Sequence, residues 1–168
     1  MTLAYHSRMD ELLHYTAGLP EIALVPGDTV VREGEAGGGL WVLVSGALEV
    51  SKGGAVINSI SKPGAAIGEI SLLLDSPISA TVAASTPCIV RHAVDGRGFL
   101  MSDPAIIRLV AQGLAERLHF VTTYLADLKN QYGDSPGLAM VSHVLGQLAH
   151  RQGPAARPGS AREPHPDY

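Results

Sequence analysis

The sequence predicts a mainly β domain, an antiparallel sandwich, roll or barrel, with helices at both ends. Three observations lead to this fold class. Short apolar runs alternate with glycine-containing turns about every ten residues between residues 22 and 95. A segment without strand alternation interrupts them at residues 67–77. From Pro104 to about Tyr132, apolar residues recur three or four positions apart, which is typical of a long helix.

The elements before the long helix follow in order. Residues 3–16 are predicted to form a short helix that Gly18 ends. Residues 67–77 read Ile-Gly-Glu-Ile-Ser-Leu-Leu-Leu-Asp-Ser-Pro, which is too short for an ordinary helix and indicates a single helical turn between strands. Strands are predicted at residues 22–25, 29–32, 40–44, 47–51, 55–60, 79–84 and 88–95.

The long helix has its own start and stop signals. Pro104 suits the first helical position, Asp103 suits the N-cap, and Gly133 suits the end. The apolar seam that we expect along it consists of Ile107, Val110, Leu114, Leu118, Val121, Leu125, Leu128 and Tyr132.

The pattern changes again after the long helix. Residues 136–150 predict one more amphipathic helix, and residues 152–168, rich in Pro, Gly, Ala and Arg, predict a disordered tail. The predicted divisions are therefore an N-terminal helix (1–18), a β domain with its long helix (19–132), an extra C-terminal helix (133–151) and the tail (152–168).

Composition excludes several function classes. The formal net charge of −4 argues against a basic surface that grips nucleic acid. The segment after Tyr132 holds one predicted helix and a neutral tail, which leaves no room for a supported recognition helix, so we expect no DNA binding. No apolar run approaches the roughly 20 residues that cross a bilayer, and residues 1–10 lack the features of a signal peptide. We therefore expect a cytoplasmic protein without membrane contact.

The potential metal ligands and nucleophiles are few and scattered. Cys88 is the single cysteine, so a disulfide within the monomer and a cysteine-only metal site are excluded, and we expect a small buried apolar residue there. The seven histidines do not form the His-x-His-and-carboxylate pattern of metal-dependent β-roll enzymes. We expect no metal site, no cofactor and no catalytic residues.

Three motifs follow one another along the chain. The first is Pro26-Gly27-Asp28 with Arg32-Glu33-Gly34-Glu35 and residues 40–50, the second is Ile67-Gly68-Glu69-Ile70-Ser71-Leu72-Leu73 with Pro77 and Ala80-Thr81-Val82, and the third is the long helix. With these motifs, residues 26–128 resemble the cyclic-nucleotide-binding family, which includes catabolite activators, regulatory subunits of cyclic-nucleotide-dependent kinases and gating domains of channels. The resemblance implies an antiparallel β-roll of the jelly-roll (double-stranded β-helix) type, with a short phosphate-binding cassette helix and a long C-terminal helix.

The cassette also has a physical reading of its own. A cyclic phosphate is an anion, and a helical turn beginning at Glu69 presents backbone amides and the positive end of its dipole. Gly68 allows a ligand to approach the backbone closely. The resemblance implies that Glu69 accepts a hydrogen bond from the ribose 2′-hydroxyl and that the amide of Ser71 binds the phosphate.

Further ligand contacts are expected around these two residues. Ser79 can offer its amide and its hydroxyl, and the resemblance places Thr122 near the purine base; the alternative is that Ser79 and Thr122 are solvated polar residues. The full candidate ligand site consists of Gly68, Glu69, Ile70, Ser71, Ile78, Ser79, Ala80 and Thr122.

Two positions depart from the family pattern. Ile78 stands where ligand-binding members have an arginine that pairs with the phosphate, and Gly38 stands where an acidic residue is common. A charge-assisted hydrogen bond contributes about 1.5–3 kcal/mol, so losing it weakens binding roughly ten- to a hundred-fold. Other cations, Arg32, Lys62 and Arg117, do not obviously compensate. Either the site is weakened or altered, or it binds no nucleotide.

The sequence therefore predicts a non-enzymatic sensor module that binds cAMP or cGMP and serves as a signalling adaptor. We expect a homodimer through the helix from Leu118 to Tyr132 and an unidentified protein partner. The main alternative is a degenerate member of the family that binds no nucleotide and serves as a protein-interaction module. The sequence leaves open which nucleotide binds.

Overall fold

A computed structural model describes residues 11–132 together with residues 140, 143, 144, 146 and 147. The chain divides into two compact units, residues 1–112 and residues 113–168. Residues 11–15 are helical and form the described part of α1, as predicted. Gly133, most of the predicted helix 136–150 and the predicted tail 152–168 lie outside the described residues.

Two four-stranded antiparallel sheets form the body of the first unit. One sheet has the order β1-β8-β3-β6 and the other the order β2-β7-β4-β5. This arrangement confirms the predicted antiparallel β-roll. The strands are β1 (Glu21–Leu24), β2 (Thr29–Val31), β3 (Leu40–Ser45), β4 (Leu48–Lys52), β5 (Ala55–Ile60), β6 (Ala66–Ile67), β7 (Thr81–Ala84) and β8 (Cys88–Ala93).

The core is built from the inward-facing residues of both sheets, because successive side chains of a strand point to opposite faces. In β7, for example, Val82 and Ala84 are buried while Thr81 and Ala83 are partly exposed. Cys88 is a buried core residue, as predicted. The core cluster comprises Val31, Leu43, Leu48, Ile67, Ile78, Val82, Ala84, Cys88 and Val90.

Two elements were not predicted. The strand β6 takes up Ile67, which the sequence assigned to the helical segment, and Ile67 pairs with Trp41 of β3. A strand of two residues is too short to show alternation in the sequence, so only its pairing in the folded chain identifies it. The second element is α3 (Gly96–Ser102), whose first turn begins where the predicted strand 88–95 was expected to end. Asp95 caps this helix by accepting a hydrogen bond from the amide of Gly98 at 2.8 Å.

The remaining helices match the predicted pattern. The helical turn expected within residues 67–77 is α2 (Glu69–Leu74), and the long helix is α4 (Pro104–Tyr132). The carboxylate of Asp103 accepts a hydrogen bond from the amide of Ala105 at 2.7 Å, which confirms its capping role. Among the described residues, no helix combines the length and hydropathy needed to cross a membrane.

The apolar seam is shifted at the start of α4. Ile106, Leu109 and Val110 are buried there, whereas Ile107, which the sequence analysis placed in the seam, is only partly buried. An apolar repeat with an average spacing of about 3.5 residues does not predict which of two neighbouring apolar residues is buried at the start of a helix.

Candidate functional site

The cassette helix α2 begins after a glycine in a left-handed conformation. Gly68 has φ 91° and ψ −6°. A Cβ atom at this position would lie 2.8 Å from the carbonyl oxygen of Gly39 and 3.4 Å from the ring of Trp41. Both the backbone conformation and the close approach of Gly39 and Trp41 therefore require glycine, whereas the approach of a ligand to the backbone at Gly68 stays a prediction.

A glycine-rich loop, residues 37–39, lies against the cassette. A Cβ atom at Gly37 would overlap with Oγ of Ser71 and lie 3.6 Å from Cδ1 of Ile78. The carbonyl oxygen of Gly38 accepts a hydrogen bond from the amide of Gly96, the first residue of α3, at 2.8 Å. The loop thus brings the start of α2, the start of α3 and residue 78 close together.

The residues at the start of α2 are enclosed. Glu69 is 3% exposed and Ser71 is 5% exposed. Oγ of Ser71 donates to the carbonyl oxygen of Gly68 at 3.1 Å, so the serine hydroxyl closes the first turn of the helix. Glu69 is the acidic residue of this first turn, where the helix dipole favours a carboxylate. Ile70 follows as a partly buried residue.

The end of α2 is held by α3. Asp75 ends the helix in a left-handed conformation with φ 49°, and its backbone N–H donates to the carbonyl oxygen of Ser71. The guanidinium of Arg97 donates to the carbonyl oxygen of Leu72 at 3.1 Å and pairs with the carboxylate of Asp75. Arg97 therefore binds a backbone carbonyl group at the C-terminal end of α2, where cations are favoured.

Ile78 is part of the hydrophobic core. It is 6% exposed, its amide donates to the carbonyl oxygen of Glu35 at 2.9 Å, and its carbonyl oxygen accepts from the amide of Gly34 at 2.8 Å. Ile78 therefore brings no positive charge to the site, and its side chain packs in the hydrophobic core. Ser79, the next residue, is exposed, and Ala80 is partly buried.

One contact of Ser79 involves a lysine that the sequence does not mark as part of the site. Nζ of Lys52, at the end of β4, donates to the carbonyl oxygen of Ser79 at 2.5 Å. The same ammonium lies 3.8 Å from Oε1 of Glu33. The pairing of β4 with β7 brings Lys52 close to Ser79. This pairing is a long-range contact that no local sequence motif predicts.

A stacked aromatic pair also adjoins the loop 37–39. The rings of Trp41 and His92 are 4.4 Å apart between centroids and inclined by 6°. Nε2 of His92 is buried and has no hydrogen-bond partner among the described residues. A Cβ atom at Gly39 would lie 2.6 Å from it. Burial lowers the pKa of His92 below its ordinary value of 6.5.

Thr122 belongs to the second unit and is described with it. Its hydroxyl donates to the carbonyl oxygen of Leu118 at 2.8 Å, within α4. The other seven predicted site residues, from Gly68 to Ala80, lie in the first unit. Within the described part of the chain, His, Cys, Asp and Glu residues form no group of three or more that could hold a metal ion.

The arrangement of sheets, cassette and glycine loop agrees with a sequence comparison. Residues 21–93 match the family model of the cyclic nucleotide-binding domain. This stretch belongs to the cyclic nucleotide-binding domain family. The matched range contains the loop 37–39, the whole of α2, Ile78 and Lys52.

The domain is similar to segments of two kinase-related proteins. It is 38% identical over 64 residues to a cAMP-dependent protein kinase regulatory subunit of Yarrowia lipolytica. It is 44% identical over 66 residues to a cGMP-dependent protein kinase of Toxoplasma gondii. Each alignment covers 38% of this chain, but only 17% and 6% of these relatives. The chain therefore spans less than a fifth of their length.

Solved structures support the fold of the cyclic nucleotide-binding domain. A cAMP-bound PfPKA-R superposes with a TM-score of 0.51 at 24% identity, over 77% of this chain and 46% of that one. The regulatory subunit of a cAMP-independent protein kinase A from Trypanosoma brucei superposes with a TM-score of 0.52 at 20% identity, over 64% of this chain and 46% of that one. At these identities the likeness concerns the fold alone.

Proposed function

We propose that this chain is a non-enzymatic regulatory module that binds cAMP or cGMP at the cassette and acts as a cytoplasmic signalling adaptor. The observation that carries the proposal is the enclosed cassette start, where Gly68 adopts a left-handed conformation and Glu69 and Ser71 are buried beside the loop 37–39. The similar segments of a cAMP-dependent regulatory subunit and a cGMP-dependent kinase support the ligand class.

Each candidate residue has a proposed role. The backbone at Gly68, Ile70 and Ser71 faces the phosphate, and the carboxylate of Glu69 accepts the ribose hydroxyl. Residues 78–80 form the other side of the phosphate site, with the amide and the hydroxyl of Ser79 as donors. The contact of Thr122 with the base, which the resemblance implies, stays a prediction.

A second candidate function rests on Ile78. Its burial in the core means that the first unit is packed without a cation at this position, and Gly38 offers no acidic partner. Both features favour the alternative, a domain that binds no nucleotide and serves as a protein-interaction module.

We propose that the module acts as a homodimer and presents its C-terminal region to a protein partner rather than to DNA. The support is the second unit's part of α4, where several large apolar side chains are exposed. They are Leu118, Phe120, Val121 and Tyr124. Exposed apolar side chains in such number on one helix are typical of an interface.

Calorimetric titration of the full chain with cAMP, cGMP and, as a control, 5′-AMP tests the ligand. We expect saturable binding of at least one cyclic nucleotide and weaker binding of 5′-AMP. Absorbance near 260 nm in the purified protein shows whether a nucleotide is retained. If neither cyclic nucleotide binds and none is retained, the alternative function replaces this proposal.

A further inference from the structure

We infer that Lys52 supplies the positive charge of the phosphate site, in place of a cation at residue 78. The inference rests on the proposed function and names a residue that determines the affinity of its phosphate site. Three features of the described residues carry it: the contact of Lys52 with Ser79, the face of the sheet from which Lys52 projects, and the pairing of Lys52 with Glu33.

The first feature is a direct contact with the predicted site. Nζ of Lys52 lies 2.5 Å from the carbonyl oxygen of Ser79, the residue that follows Ile78. A lysine ammonium has three donors and acts as a point charge, so it needs no planar geometry to meet a phosphate oxygen. The ammonium therefore lies next to residue 78, the position at which ligand-binding relatives have the arginine that pairs with the phosphate.

The second feature is the strand register. In the pairing of β4 with β7, Val50 is opposite Val82 and Ser51 is opposite Thr81, without a shift. Val82 and Ile78 are both buried core residues, and Val50 packs against the core. Alternation places Lys52, two residues after Val50, on the same face of the sheet as Val50. That face is the one toward which Ile78 points.

The third feature is the electrostatic state of Lys52. Its side chain is 56% exposed, and Oε1 of Glu33 lies 3.8 Å from Nζ. Glu33 is itself positioned, because its Oε2 accepts a hydrogen bond from the amide of Gly53 at 2.8 Å. Exposed ion pairs are weak, so a phosphate can compete with Glu33 for the ammonium. Glu33 thereby limits the affinity of the site for an anion.

Arg97, which also donates to the cassette, is not placed to bind the phosphate. Arg97 binds the carbonyl oxygen of Leu72 and the carboxylate of Asp75 at the C-terminal end of α2. This end of the helix carries negative partial charge. A phosphate there would meet repulsion from the carbonyl groups and from Asp75.

The test is calorimetry with cAMP and cGMP on the full chain. Lys52→Gln should weaken binding at least tenfold, and Lys52→Arg should retain most of it. Lys62→Gln, which removes the same charge from the turn after β5, serves as the control and should bind like the wild type. Because Lys52 is largely exposed, we expect the folded state to tolerate the substitution, and circular dichroism checks this.

Glu33→Gln gives a second arm that a merely structural role of Lys52 does not predict. It should raise affinity severalfold, because it frees the ammonium while the glutamine oxygen still accepts from Gly53. The gain should vanish in the Lys52→Gln background. Equal binding by Lys52→Gln and wild type, or a gain that persists in that background, overturns the inference and leaves the proposed function standing. A wild type that binds neither nucleotide overturns both.

Discussion

At residue 78, core packing and phosphate binding favour different side chains. Ile78 fills a core position, but the resemblance implies a guanidinium there. The Ile78→Arg variant should gain at least tenfold in affinity for cAMP or cGMP, since arginine offers two parallel donors to phosphate oxygens. Without ligand it should melt lower, because it buries an unpaired charge. Calorimetry and thermal melting measure the two effects.

Two further variants bracket this prediction. Ile78→Val keeps an apolar core residue and should leave affinity unchanged, at a stability cost of about 0.5–1.5 kcal/mol. Glu69→Ala in the Ile78→Arg background should reverse much of the gain. A well-folded Ile78→Arg protein that binds neither nucleotide would show that the cassette is not arranged for a phosphate.

Gly68 tests whether the cassette depends on its left-handed start. Gly68→Ala should lower stability by about 1–2 kcal/mol from the backbone alone, and further through the 2.8 Å approach to Gly39. Gly27→Ala is the matched control, since Gly27 has a similar φ of 95° but a Cβ atom there meets nothing within 4 Å. Chemical denaturation measures both. Equal stability of the two variants would contradict the packing of the loop 37–39 against the cassette.

His92 makes stability depend on pH in a defined direction. Its lowered pKa means that the unfolded chain takes up a proton at higher pH than the folded one. Stability should therefore decline as pH falls below about 6.5, and the decline should stop below the lowered folded pKa. Melting temperatures from pH 5 to 7.5 should show a steeper slope in wild type than in His92→Gln.

At the scale of elements, α4 carries the prediction of a homodimer. Leu118 and Val121 are 42% and 46% exposed, and the rings of Phe120 and Tyr124 stack 6.5 Å apart on the same helix. Leu125→Glu should place charges against an apolar partner and yield monomers. Asn130→Glu adds the same charge at an exposed position away from the seam and should stay dimeric. Sedimentation that shows a monomeric wild type at high micromolar concentration would refute the dimer.

At the scale of the whole molecule, the predicted tail can be tested by removing it. Residues 152–168 have no apolar periodicity to bury. Truncation after Arg151 should therefore leave the melting temperature almost unchanged and retain nucleotide binding. A large drop in melting temperature would show that the tail packs on the rest of the chain.

The sequence by itself determined the elements that have a local period or a local signal. The strand β5 lies at its predicted bounds because glycines precede it and a proline turn follows it, and α4 spans Pro104–Tyr132 because Asp103 caps one end and its apolar residues repeat every three or four positions. The cassette was predicted for the same reason, since Gly68 and Glu69 are adjacent in the chain. Seven of the eight candidate site residues follow from that one motif and the strand after it.

The tertiary structure alone decided what joins residues distant in sequence. The strand β6 exists through its pairing with Trp41 and Val42, and Lys52 reaches Ser79 through the register of β4 against β7. The burial of Ile78 and the isolation of Nε2 in His92 likewise depend on which faces meet across the core. A strand's side-chain period tells which residues share a face, but not which strand lies opposite, because pairing is a long-range choice that depends on the whole roll.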